Sequence, residues 1–563
     1  MHSLISILEG IDKYLGSHIW FAILLLGTGI FYTLFLGFPQ IRYFRHAVRV
    51  VSGKYDRHGT KGDTSHFQAL STALSGTIGT GNIAGVALAI HLGGPSAMFW
   101  MLVTAFFGMT TKFVEVLLSH KYREFDTNGN VAGGPMYFMK KRMNIKLSNG
   151  KIIKTGLVMG GIFAVATVFS SFGTGNLPQI NSISTSLNTS FGIPLWITGA
   201  ILAILLGLVI IGGINRIAKV TEKLVPSMAI LYLLGAIGVL ITNYQHILPA
   251  FASIFTNVFT GSAATGGFLG ATVSFALRKG VARGLFSNEA GQGSAPIAHA
   301  TARANEPVSE GMVAMLGPFI DTIIICTITG ITLLASGAWH EKYENVFQNT
   351  DIIVLQENYP AGRETDKTIA AYINGKQDLP LFSGNLAVVD GIIQNAPTII
   401  NSRSVAEDIL VINNEGRKYS GKVKIEQGKL TSVDISFKGK SLVHSAPLTT
   451  LAFNQGIFGN YGQYIVSLGI LLFAFSTAIA WSYYGDRAVV YLLGNKYVLP
   501  YRIVYVLGFF IASFSDTTII WAISAITIAL MSIPNLIGLM LSFKEVKSTI
   551  NDYWKKFKKE GVA

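Results

Sequence analysis

The chain has 563 residues, half of them hydrophobic and only 13% charged, with a net charge of +14 and a single cysteine. Soluble domains carry nearer a quarter charged residues, so the composition excludes an ordinary soluble enzyme and implies a polytopic membrane protein. The lone Cys326 excludes intrachain disulfides and multi-cysteine metal sites. The basic residues gather in particular loops, as membrane topology demands, which argues against a nucleic-acid surface.

His18 to Pro39 is the first predicted span; it has no small-residue cleavage site and is expected to stay as an anchor. A basic stretch follows (Arg42, Arg45, Arg49, Lys54, Arg57, Lys61), which the positive-inside rule makes cytoplasmic, with the N-terminus outside. The second span, about Phe67 to Leu92, contains Leu74-Ser75-Gly76-Thr77-Ile78-Gly79-Thr80-Gly81-Asn82-Ile83-Ala84-Gly85. Four glycines, three hydroxyls and an asparagine make a poor uninterrupted helix. Unwound backbone is tolerated in a bilayer only where it is buried in protein or lines a cavity, and a bound ion or zwitterion can satisfy its polar groups. The alternative is a helix that uses small residues for close packing. Gly79 to Ala84 also fits the dinucleotide fingerprint G-x-G-x-x-A, but no strand precedes it and the next acid is Glu115, so that reading is discarded.

The third span, about Pro95 to Leu118, carries Lys112 and Glu115, an i, i+3 pair expected to neutralise itself on one helix face. Residues 119–155 form a second basic loop, with Gly133-Gly134-Pro135-Met136-Tyr137 opening a short interfacial helix. The fourth span, about 156–187, is polar in its second half (Ser170, Ser171, Thr174, Asn176, Gln179, Asn181). The fifth (about 194–213) and sixth (about 224–243) are plain apolar helices, with Arg216, Lys219 and Lys223 in an inside loop between them. Residues 244–265 hold no Lys or Arg, as an outside loop should.

In the seventh span, Phe268 to Leu285 leads into the polar run Phe286 to Ser294, where a second break is placed, then a short helix to about Ala302. Arg278, Lys279 and Arg283 then fall on the outer half, against the charge rule; a break nearer Gly261–Gly270 would relieve this. The eighth span, about 308–337, carries Asp321. Residues 338–450 are charged and show alternation at Gly421–Ile425 and Ser432–Phe437, the pattern of half-buried strands in a small β-rich domain outside the membrane. Spans nine (about 460–492, with Phe475 to Ser482), ten (about 500–518) and eleven (about 519–543) follow, and the lysine-rich tail Lys544–Lys559 is cytoplasmic.

The chain thus divides into spans one to eight (1–337), the insertion (338–450), and spans nine to eleven with the tail (451–563). Spans two to six and seven to eleven each begin with a broken helix, and an odd number per unit inverts the second unit. Two corresponding broken helices in inverted halves point to a midplane site in a secondary transporter.

Four stretches carry a resemblance: Gly79 to Ala87, Gly133 to Tyr137, Gly280 to Gly291, and Phe475-Ser476-Thr477 through Trp481-Ser482-Tyr483-Tyr484-Gly485. Together they resemble the alanine/glycine:cation symporter family over essentially all of the chain except 338–450. The resemblance implies an all-α polytopic membrane protein of the leucine-transporter type. Its 5+5 inverted repeat would have an extra N-terminal helix, eleven spans in all, here with the β-rich extracytoplasmic insertion. It implies transport of small amino acids with sodium, sometimes protons, and no cofactor beyond the coupling ion. The insertion departs from the family pattern and leaves room for an unknown partner.

Against that background the site residues take roles. The half-helix after Gly81 offers free N–H groups to a carboxylate, so Gly79, Thr80 and Gly81 are substrate candidates. Carbonyls of Ser75–Gly81 are candidate sodium ligands, with Thr77, Asn82, Ser476 and Thr477; Asn82 equally suits a cap on the second half-helix. Gln179 is a substrate hydrogen-bonder or interhelical glue. Phe286, Thr477 and Trp481 form the wall that limits side-chain size, the alternative for Trp481 being a lipid-facing place. Asn288 and Glu289 complete the substrate set, Glu289 as an intramembrane acid for the substrate amine or a helix N-terminus. Asp321 and the pair Lys112–Glu115 are read as structural or gating.

The leading function is sodium-coupled symport of alanine or glycine into the cell across the plasma (inner) membrane. A proton-coupled carrier of another small amino acid competes with it, as does a receptor using 338–450 as its sensor. Two broken helices speak against the receptor, and no nucleophile–base or metal constellation points to an enzyme.

Overall fold

The computed structural model describes residues 8–559 apart from 9, 13, 16–17, 57–59, 263, 305, 361, 395–396, 433 and 516–517. Arg57 of the first basic stretch and Val433 of the second alternating stretch lie outside the described residues. The described chain is mostly helical. Seven of its helices are long and apolar enough to cross a membrane, or eight if one bent pair counts as a single span. Helices at Leu195–Ile210, Val273–Asn288 and Val498–Ala512 are shorter and occupy the places of expected spans five, seven and ten.

The first helix, Ile19–Leu36, is capped by the His18 imidazole, which accepts from the Trp20 N–H, and ends at Gly37 in the left-handed region (φ 70°). The bent pair is His66–Thr77 and Gly81–Gly93, which meet at 55°. A reciprocal cap between Ser65 and Gln68 starts the first piece. The backbone leaves the helix at 78–79 and resumes at Thr80, running into a π-wound turn, Gly81–Gly85. The long helix Ser96–Lys121 lies against Val273–Asn288. That contact depends on Gly280 and Gly284, where any Cβ would run into the Ala97 carbonyl and the Thr104 hydroxyl.

Several elements differ from the sequence reading. The polar fourth span is two helices, Thr155–Gly173 and Leu177–Phe191, joined at 174–176, because Pro178 starts a new helix rather than continuing one. Arg216, Lys219 and Lys223 are not in a loop; they sit in the first turns of the 30-residue helix Gly213–Thr242. The short helix Pro135–Arg142 buries Pro135 to Met139 within the protein and leaves Lys140 to Arg142 exposed. Lys112 and Glu115 are both buried but make no ion pair with each other among the described residues; Glu115 instead accepts from the Asn535 amide at 2.9 Å.

The second broken helix consists of Val273–Asn288 and the short Ala295–His299. Between them Glu289 (φ 54°), Gly291 (φ 87°) and Gly293 (φ 82°) take left-handed backbone. The next span, Pro307–Ser336, contains a π-helical stretch, Phe319–Cys326, with Asp321 in it. At its start, fully buried Glu310 touches the rings of both His66 and His299 and so ties the ends of the two broken helices together. The spans Gly459–Leu493 and Ile523–Leu541 lead to the tail helix Phe543–Lys559, which buries Val546, Ile550 and Tyr553 along one stripe.

Between 342 and 442 the chain forms antiparallel strands. Lys342–Val346, Glu407–Asn413 and Ile435–Leu442 make one sheet, with Glu407 opposite Lys440 and Lys438 opposite Val346. Gly384–Val389 and Gly421–Glu426 pair in another, with Gly421 opposite Val388. Val423, Ile425, Leu386 and Val388 are buried in alternation, and Phe437 and Val411 join the same cluster. The helix Ser445–Asn454 returns the chain to the membrane-spanning part, where the Thr449 hydroxyl donates to the Ile83 carbonyl at 3.3 Å.

Candidate functional site

The break at 78–79 and the fifth turn of Gly462–Leu493 face each other. The Thr477 hydroxyl lies 3.1 Å from the Ser75 carbonyl and 3.5 Å from that of Ile78, and the Ser476 hydroxyl lies 3.4 Å from Ser75 O. Both hydroxyls also reach the Phe473 carbonyl of their own helix, at 3.0 and 2.8 Å. Each hydroxyl has one proton and several acceptors around it, so the nook is rich in oxygen lone pairs, the donor set a hard monovalent cation prefers. Thr77 is not part of it: its hydroxyl turns back to Leu74 O at 3.3 Å.

Beside this nook sit Gly79, Thr80 and Gly81. A Cβ on Gly79 would stand 2.6 Å from Thr477 Oγ1, so only glycine lets the break approach this helix. The Thr80 hydroxyl donates to Gln179 Oε1 at 3.3 Å, and Gln179 donates to Thr174 O at 3.0 Å, across the joint of the split fourth span. Phe286 approaches from the second broken helix; its ring lies 3.6 Å from where a Cβ on Gly81 would be. Trp481, four residues after Thr477, is 0% exposed, so it does not face lipid. The base of its side chain abuts Gly175, where a Cβ would overlap Trp481 Cβ and Cγ, its ring meets Tyr484 edge-on at 5.3 Å, and its indole N–H donates to Glu289 at 3.2 Å. Glu289 also accepts from the Ser294 hydroxyl at 2.6 Å, at the start of Ala295–His299. Gly79, Thr80, Gly81, Gln179, Phe286, Glu289, Thr477 and Trp481 are thereby linked through contacts.

Two further predicted residues point elsewhere. Asn82 accepts from the Gly79 N–H at 3.0 Å, a cap inside the break, and its amide N–H donates to Asp321 Oδ1 at 2.6 Å. It faces the π-helical stretch rather than Ser476 and Thr477. Asn288 lies against Gly108 of Ser96–Lys121 and accepts from the Ala290 N–H at 3.0 Å. Sequence reasoning did not include Asp321 in the site; here its other oxygen accepts from Ser287 at 3.0 Å and Thr322 at 2.6 Å, so Asn82, Ser287, Asp321 and Thr322 form one buried polar cluster. The signal was available, since an acid in the middle of a span is functional by default.

A sequence profile described as the sodium:alanine symporter family matches residues 1–361 and 429–562. An uncharacterized transporter of Haemophilus influenzae is 37% identical over 556 residues, 98% of this chain and 97% of that one, so the alignment runs through 338–450. The sodium/alanine symporter AgcS of Methanococcus maripaludis is 37% identical over 519 residues, covering 92% of this chain and 90% of its own. GlnT of Bacillus subtilis, a probable sodium/glutamine symporter, is 40% identical over 319 residues, 56% of this chain and 63% of its own.

Proposed function

The chain belongs to the sodium:alanine symporter family, and from that premise we propose that it couples inward movement of a small neutral amino acid, alanine or glycine, to sodium. It is a multi-pass membrane protein and a cation-coupled amino-acid transporter. The observation that carries the finer reading is the meeting of the Ser476 and Thr477 hydroxyls with the Ser75 and Ile78 carbonyls at the break. In this reading sodium takes that nook and the substrate carboxylate takes the N–H groups after Gly79 and Gly81, aided by the dipole of the half-helix. Gln179, Phe286 and Trp481 surround the side chain. The architecture we propose is eleven spans, an extra helix before a 5+5 inverted repeat. The N-terminus and the 338–450 domain are outside the plasma (inner) membrane and the basic tail inside.

A second reading, proton coupling of another small amino acid, is favoured by the buried carboxylate of Asp321 beside the break and by the glutamine named for one relative. Labelled alanine uptake into proteoliposomes separates the two. Uptake driven by an inward sodium gradient at equal pH is expected. Uptake that follows a proton gradient and ignores sodium would overturn the sodium reading.

A further inference from the structure

Three cations sit where the charge rule does not want them, on the outer half of Val273–Asn288, and the structure shows what two of them face. The Lys279 ammonium lies 5.4 Å from the centroid of the Phe275 ring, and the Arg283 guanidinium lies 6.0 Å from that of Phe286. Positions 275, 279, 283 and 286 recur at helical spacing and line one face. A third cation arrives from the strand-rich segment: the Arg403 guanidinium lies 4.7 Å from the same Phe275 centroid and 5.8 Å from that of Phe268. Alternating cations and aromatic faces thus descend from Arg403 past Phe275, Lys279 and Arg283 to Phe286, whose ring stands against Gly81 at the candidate site.

No carboxylate pairs with Arg403 or Arg283 among the described residues, while Lys279 is attracted by the Asp12 carboxylate. Arg403 is the extreme case, 1% exposed. One of its nitrogens, Nη2, donates to the Gly270 carbonyl and to Asn374 Oδ1 (3.1 Å), while Nε and Nη1 meet no hydrogen-bond partner. Burial pushes its pKa down only to about 10, so it remains a cation at neutral pH. The residues it touches, Phe268, Gly270 and Asn374, line a cavity of about 1150 Å³ between the strand-rich segment and the loop at 260–272; Arg403 stands behind that lining, whose charged members are Lys342, Lys367, Lys376, Asp366, Glu407 and Asp408. A buried cation with unused donors is expensive unless an anion visits it. Charged residues kept within membrane segments mark substrate pathways, and a passage lined by one sign of charge concentrates the other.

We propose that Arg403, Lys279 and Arg283 form a cation ladder that takes the carboxylate of the amino-acid substrate from this cavity and leads it along one face of the helix to Phe286. The ladder rests on the transport reading for its substrate, but not for its charge selectivity. It also accounts for Lys279 and Arg283, two of the three basic residues that the positive-inside rule leaves unexplained in span seven: they serve an anionic group in transit.

The test uses the full-length protein with Cys326→Ala and a single new cysteine, F286C, at the foot of the ladder. Two methanethiosulfonates of similar size, one bearing a sulfonate and one a trimethylammonium group, are applied from the side of the strand-rich segment. Relative to their rates with a free thiol, the anionic reagent is expected to modify the protein at least about tenfold faster. The triple neutralisation R403Q/K279Q/R283Q should bring that preference to within about twofold of the free thiol, and R403K/K279R/R283K should keep it. Should the triple variant not fold, R283Q and K279Q singly should each reduce the preference several-fold. A preference that is absent, or that survives neutralisation, overturns the ladder. With Phe286 intact, the triple variant should lose about fivefold or more in kcat/KM for alanine at low ionic strength while its equilibrium Kd in saturating sodium stays within about twofold. An equal loss in Kd would make these residues structural and also overturn the ladder. Wild-type protein that moves no alanine yet shows the anionic preference would defeat the symport reading and leave the ladder standing.

Discussion

Trp481 is held at three places, by Gly175 at the base of the side chain, Tyr484 against the ring and the Glu289 carboxylate on its N–H. A side chain so fixed sets a hard limit to the space beside Thr477, one helical turn away. W481A should therefore weaken alanine binding and let leucine compete better for the labelled amino acid, because the indole volume is vacated. Leucine competition that does not improve in a folded W481A protein would remove Trp481 from the pocket. Ser476 and Thr477 differ from it in that their hydroxyls, not their bulk, face the break. S476A/T477A should raise the sodium concentration for half-maximal uptake about tenfold or more, roughly 1.4 kcal/mol. Alanine affinity at saturating sodium should fall less, although Thr477 also lies against Gly79. Unchanged sodium dependence would shift attention to the Asn82–Asp321 cluster, where a carboxylate is present.

At the scale of elements, both breaks are built from the same means, residues that relax the backbone and a side chain that fixes the result. Asn82 fixes the first by accepting from Gly79, and Glu289 sits in left-handed backbone at the second while its carboxylate binds Ser294. The long helix Gly462–Leu493 is anchored at the far end by Arg487, which donates to Asp126 Oδ2 at 3.2 Å in the hairpin connection between Glu124–Phe125 and Val131–Ala132. Burial pushes the Asp126 carboxyl up. The N–H groups of Asn130 and Asn128 and the Arg487 guanidinium outweigh it and hold the carboxyl below its ordinary value. A depressed carboxylate contributes stability that is present above its unfolded pKa, near ~3.9, and is lost as pH falls through the folded value. D126N should lower stability at neutral pH by on the order of 2 kcal/mol, the scale of a hydrogen bond to a charged group. It should also flatten the acid-side decline below pH ~4. Thermal unfolding of the detergent-solubilised protein across pH checks both, and identical profiles for wild type and D126N would show that the hairpin is not held this way.

For the whole molecule, the question is how the strand-rich segment relates to the spans. It touches them at several points, among them Arg403 on Gly270 and the Phe275 ring, Asn374 on the Thr272 N–H at 3.4 Å, Ser402 on His91 at 2.8 Å, and the return helix Ser445–Asn454, which packs on the break itself through Thr449. A boundary at 450 would cut through that helix, so a replacement has to keep it. Exchanging 342–442 for a Gly/Ser linker should leave equilibrium affinity for alanine within a few-fold, since the Ser476–Thr477 nook and Trp481 are untouched. Abolished binding in a well-folded deletion variant would show that the segment shapes the site rather than serving it from outside.

Much of this was legible in the amino-acid order. Hydropathy alone marks the seven or eight helices long enough to cross a membrane, because a bilayer demands long apolar runs. Clustered glycine and hydroxyl residues mark 75–81 as the weak place in the second span, though the helix holds through Thr77 and only 78–79 leave it, and four short motifs were specific enough to indicate the family. Local composition could not say which polar side chains meet. Asn82 and Asp321 are 239 residues apart, and only the packing of Pro307–Ser336 against the first break makes the amide serve the carboxylate instead of the Ser476–Thr477 nook. Lys112 and Glu115 share a helix face, yet Glu115 is taken by Asn535 from a span 420 residues on, because a buried carboxylate takes the donor that the fold delivers to it. Periodicity places a residue on its own helix; the partner across the interface is decided by tertiary packing.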